Sequence, residues 1–197
     1  KDAMQKFTRH MVKSGYTEVR KVLTKIKSMP DTRNFLLAFF FYSAGVQTVI
    51  YLATIFAEKE LNFETAELIL IVLILQLVAI GGAYLFSAIG TRAGNKFSLL
   101  TMIVIWVVIC TGAFFTKDKL TFYILAAMVG MVMGGIQSLS RASYSMLLPE
   151  KNEDPTSFFS FYDVVYKIAI VGGTLLFGVV DNIFHNMRYS VLALAVC

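Results

Sequence analysis

Charge is what this chain has least of. Only 16% of its 197 residues are Asp, Glu, Lys or Arg and 57% are hydrophobic, with mean hydropathy +0.68. Soluble domains carry roughly 25% charged residues, because a folded surface must stay in water. Lipid is therefore expected to cover much of this surface. Cysteine is nearly missing: Cys110 and Cys197 stand apart with no Cys-x-x-Cys, which excludes a disulfide framework. Three prolines among 17 Phe and 9 Tyr exclude a collagen-like or disordered chain. There is no Gly-x-x-x-x-Gly-Lys-Ser/Thr loop and no His-Glu-x-x-His, and the two histidines, His10 and His185, are far apart. ATP-driven pumping and zinc proteolysis thus have no residues to work with. No metal, cofactor or enzymatic activity is expected, since no nucleophile and base are grouped.

Long uncharged runs are what the chain does have. A helix crosses ~30 Å of hydrocarbon with ~20 apolar residues. The runs Phe35 to Ala57, Leu68 to Ile89, Phe97 to Phe115 and Leu120 to Leu139 contain no Asp, Glu, Lys or Arg. A fifth run, Phe158 to Val180, carries Asp163 and Lys167, and a sixth, Tyr189 to Cys197, stops after roughly half a bilayer of helix. The predicted spans are about 35–57, 68–89, 97–115, 120–139, 158–180 and 189–197, the last truncated. The connectors are short and charged, so the spans should alternate in direction. No connector is long and apolar enough for a channel filter.

Basic residues set the orientation, since they are retained on the cytoplasmic side. Lys1, Lys6, Arg9, Lys13, Arg20, Lys21, Lys25, Lys27 and Arg33 precede the first span, Arg92 and Lys96 follow the second, and Arg141 and Lys151 follow the fourth. The opposite connectors hold Lys59, Lys117, Lys119 and Arg188, with Glu58, Glu60, Glu64 and Glu67 in the first. The leading end is therefore expected in the cytoplasm. Residues 1–33 read as a basic amphipathic linker helix, with Met4, Phe7, Met11, Val19, Val22, Leu23, Ile26 and Met29 near helical spacing. Nothing in that segment points to nucleic acid. Starting without Met and stopping inside a span, the chain reads as a piece of a longer protein.

Polar residues inside spans are costly, so each is a site candidate. Asp163 and Lys167, four apart, share a helix face where their charges can offset one another. Alternatively, Asp163 accepts a proton or Lys167 meets an anionic solute group. Gln47, Gln76 and Gln137 must find partners or a polar cavity. Tyr51 lies one turn from Gln47, and Tyr162 and Tyr166 flank Asp163. Gly130 and Gly134 form a GxxxG step, and Gly81-Gly82 and Gly172-Gly173 interrupt two spans, as close helix packing requires.

The second connector, Gly90-Thr91-Arg92-Ala93-Gly94-Asn95-Lys96, resembles the loop signature of the major facilitator superfamily, Gly-x-x-x-Asp-Arg-x-Gly-Arg-Lys. Arg92, Gly94 and Lys96 match it, while Ser87, Thr91 and Asn95 depart from it. The stretches Tyr42 to Val49, Gln76 to Phe86, Gly134 to Arg141 and Phe158 to Tyr162 resemble the vacuole-effluxer-like branch, which includes fungal vacuolar amino-acid exporters. The resemblance implies the C-terminal half of a twelve-span all-α membrane bundle. It implies a secondary active transporter that moves a small solute, amino acids by analogy, by alternating access. Gln47, Tyr51, Gln76, Gln137, Asp163 and Lys167 would line its site, and Arg92, Gly94, Lys96 and Arg141 its cytoplasmic gate. Its expected partners are the lipid bilayer, a small-molecule solute, an N-terminal six-span half and a coupled proton or ion. The expected location is the bacterial inner (plasma) membrane. The competing expectation is a non-transporting membrane scaffold whose polar residues only pack helices.

Overall fold

A computed structural model describes residues 15, 17–148 and 155–184. Its first helix, α1 (17–27), buries Val22 and Ile26, which are four residues apart on one face, and leaves Arg20, Lys21, Lys25 and Lys27 exposed. Met4, Phe7, Met11 and His10 lie outside the described residues, as do His185 and the run 189–197. Five helices long and apolar enough to cross a membrane follow: α2 Pro30–Leu61, α3 Thr65–Ala93, α4 Asn95–Phe115, α5 Lys119–Met146 and α6 Pro155–Phe184. No strand occurs among the described residues. The chain is an all-α polytopic bundle, and each helix outruns its uncharged run because polar residues continue its ends.

Those ends are set locally. Pro30 opens α2 at a position where its missing N–H costs nothing, with Asp31 in the same turn facing the positive end of the helix dipole. α2 stops where Asn62 adopts φ 51°, a left-handed conformation Asn tolerates. Glu64 and Glu67 then form a reciprocal capping box that starts α3. Glu67 also accepts from Lys119 Nζ at 2.6 Å, tying the first turns of α3 and α5 together. α3 passes to α4 through one residue, Gly94, at φ +90°, which other residues rarely adopt.

α5 begins at Asp118, whose carboxylate accepts from Thr121 N at 2.7 Å and Thr121 Oγ1 at 3.0 Å. These bonds hold the Asp118 carboxyl below the usual range. An acid lowered on folding stabilises fully above its unfolded pKa, and that contribution is lost as the pH falls through the folded value. The protection factor of the Thr121 amide, the slowing of its exchange relative to the unfolded chain at the same pH, is therefore expected to fall only below about pH 4, and Asp118→Ala should lower it above that pH and make little difference below it.

Glycine decides which helices touch. A Cβ on Gly134 would strike the Ala79 backbone, one on Gly82 the Met131 backbone, and one on Gly130 the Leu75 carbonyl, so α3 and α5 pack backbone to backbone. Gly173 of α6 likewise sits against Ala44 and Thr48 of α2. α4 packs outside this arrangement, against α5 and α3. In lipid no hydrophobic force joins helices, so close packing of this kind supplies much of the association. The result is two tight pairs, α3 with α5 and α2 with α6, and few contacts between the pairs.

Candidate solute-binding cavity

Between the two pairs lies a wide-mouthed cavity of about 790 Å³. Small-molecule sites fall within ~300–1,000 Å³. Four helices supply its wall. Gln47 and Ser43 come from α2, Gln76 from α3, Gln137, Ser138 and Arg141 from α5, and Tyr162, Asp163 and Tyr166 from α6. Gln47 and Ser43 are buried, whereas Gln76 and Gln137 are exposed to the cavity. None of the three amides makes a hydrogen bond among the described residues.

One charge of each sign stands in this wall. Arg141 Nη2 donates to Asp163 Oδ1 at 2.7 Å, with the two side chains 59% and 49% exposed. The guanidinium lies over the Tyr162 ring, 5.9 Å from its centroid. Tyr162 is fixed in turn by Phe39, at 4.2 Å between ring centroids, and by Tyr144, at 5.0 Å. Tyr144 donates to the Phe158 carbonyl at 3.0 Å, so an aromatic stack joins α2, α5 and α6 at one end of the cavity. Beside it, Tyr42 and Ser140 share a buried hydrogen bond of 2.7 Å between α2 and α5.

A family profile described as Vacuole effluxer Atg22 like matches residues 2–197. The chain belongs to that family. An uncharacterized MFS-type transporter, YxiO, of Bacillus subtilis is 30% identical over 95% of the chain and 43% of its own length. Autophagy-related protein 22 of Yarrowia lipolytica is 30% identical over 92% of the chain and 32% of its own length. Autophagy-related protein 22 of Saccharomyces cerevisiae is 28% identical over 89% and 35%. The chain thus spans roughly a third to two fifths of the length of these relatives. No solved structure matches it at a significant level.

Within this family member, some expected site residues meet and others do not. Gln47, Gln76, Gln137 and Asp163 share the cavity. Lys167 does not belong to its wall, and Asp163 pairs with Arg141 instead. Phe159, Tyr162, Asp163 and Tyr166 define the lining face of α6, and at 3.6 residues per turn Lys167 falls roughly 90° from its middle. Arg141, expected at the gate, is a cavity residue. Arg92, Gly94 and Lys96 are exposed at the α3–α4 turn, away from the cavity wall. The backbone of Tyr51 lies in α2, but its side chain falls outside the described residues. No cluster of three His, Cys, Asp or Glu that could hold a metal occurs among the described residues.

Sequence reasoning missed the Arg141–Asp163 pair and the stack around Tyr162. One signal was there: Arg141 and Asp163 flank the α5–α6 connector at similar depths, as facing residues of an antiparallel helix pair must.

Proposed function

We propose that the protein is a secondary active transporter that moves small polar solutes, amino acids foremost, by alternating access. One observation carries this reading. Three amides from three helices line one cavity and leave their hydrogen-bonding groups unused within the described residues. Amides kept for helix packing would bond across helices instead. Family membership and the MFS-type relative support the reading. The wide mouth of the cavity would face an N-terminal six-span half, completing a site at the bilayer midplane. Gln47, Gln76, Gln137 and Asp163 would contact solute from this side, with Tyr51 a further candidate on α2.

The bacterial inner membrane is the proposed location, with the leading basic segment cytoplasmic. In that orientation Arg92, Gly94 and Lys96 lie at the cytoplasmic surface, where they would act as gate residues from outside the cavity wall, and proton or ion coupling drives the cycle. The test is flux of radiolabelled amino acids by the intact protein in liposomes. Saturable flux is expected, and Gln47→Leu should lower it about tenfold or more, the worth of one hydrogen bond to a polar solute, with thermal stability retained. Undiminished flux in Gln47→Leu, Gln76→Leu and Gln137→Leu alike would return the amides to a packing role.

A further inference from the structure

We infer that Arg141 and Asp163 together recognise a zwitterion: the guanidinium takes the solute's carboxylate, Asp163 takes its ammonium, and in the empty cavity each stands in for the solute by pairing with the other. This assignment rests on the transport reading and adds to it which side chain meets which charge. Arg141 and Asp163 are the charged residues of the wall, one of each sign, on different helices. The ionisable groups that share the wall with them are the phenols of Tyr162 and Tyr166. A cavity so arranged is neutral overall and suits a solute that is itself neutral but carries both signs.

The pair is built to exchange. It rests on one hydrogen bond, Nη2 to Oδ1 at 2.7 Å, although a guanidinium has five N–H donors and binds carboxylates best in a two-bond fork. Both side chains are about half exposed, 59% and 49%, where ion pairs are weak. Nor is the pair the sole tie between its helices, since the Tyr144–Phe158 bond and the stack of Tyr144 on Tyr162 also join α5 to α6. What holds Arg141 when its partner leaves is the face of Tyr162, itself buried and stacked on Phe39. Asp163 presents to Arg141 the same functional group a solute carboxylate would, so the two compete for one fork. Gln137, one turn before Arg141 on α5, adds an amide beside it.

The assignment makes a prediction that a structural ion pair does not. Removing the Asp163 charge should free Arg141, so that a carboxylate without an ammonium binds better than it does to the unmodified protein. Propionate is the probe, and thermal stabilisation of the intact detergent-solubilised protein is the readout. Asp163→Asn and Asp163→Ala are each expected to lower the propionate concentration for half-maximal stabilisation about tenfold, the usual worth of a charge-assisted hydrogen bond. Arg141→Gln in either background should abolish the response. An unchanged propionate midpoint in the Asp163 variants, or a response that survives Arg141→Gln, overturns the assignment. Flux of alanine against propionate and ethylamine in liposomes separates it from the transport reading. If alanine is not carried while the propionate response follows this pattern, the charge assignment stands and transport falls. Alanine flux without the propionate response does the reverse.

Discussion

Gly134→Leu is expected to abolish the folded bundle, while Gly81→Ala, at a site with open space around it, should be neutral or slightly stabilising. The first substitution drives a side chain into the Ala79 backbone, and no rotamer of a neighbour can relieve a clash with main chain. Overpacking costs ~1–3 kcal/mol when side chains can shift, so a clash of a side chain with main chain should reach or exceed the upper figure. Gly82→Ala should behave like Gly134→Leu in kind, because its Cβ would meet the Met131 main chain. Gly81 has nothing within 4 Å of an added Cβ, and Ala in a helix interior is worth ~0.5–1 kcal/mol over Gly. The adjacent glycines should thus respond with opposite sign. Thermal unfolding of the intact protein in detergent checks this, and equal destabilisation of Gly81→Ala and Gly82→Ala would remove the close approach of α3 and α5 as its cause.

Ser140→Ala is expected to cost ~1–3 kcal/mol, because it leaves the buried Tyr42 hydroxyl without its partner. Tyr42→Phe should cost less. The Ser140 hydroxyl it leaves behind can turn back to the Ile136 carbonyl one turn earlier, a bond that Tyr42 has no means of making. The double variant should lose less than the sum of the single ones, since both delete the same bond. A double-mutant cycle on thermal unfolding measures the difference. Strict additivity would mean that the bond contributes no coupling between α2 and α5.

Hydropathy made the membrane helices legible because it reads the lipid-facing surface, where charge is excluded. It reads the cavity-facing surface poorly. The predicted span closes at Leu139, so Arg141 fell into the predicted connector, although α5 continues to Met146 and carries Arg141 along the cavity wall. Gln47, Gln76 and Gln137 were legible as site candidates because an amide set between apolar neighbours in a span has to face a partner or a polar cavity. Lys167 was misplaced because four-residue spacing puts it near Asp163 without saying which side of Asp163 the cavity lies on. The GxxxG step was visible in sequence, but which helix Gly134 meets is a property of the assembled bundle. The stack of Phe39, Tyr144 and Tyr162 draws on three helices and leaves no local pattern.

The glycine seams also bear on how the cavity changes width. Where two backbones touch with no side chain between them, there is nothing compressible left to yield. α3 with α5 forms one stiff leaf, and α2 with α6 another. A change in the width of the space between them would then be a rotation of one leaf against the other, like a book opening and not like a sack stretching. The Tyr42–Ser140 bond and the stack of Phe39, Tyr144 and Tyr162 cross from one leaf to the other, so that rotation would have to turn or break them.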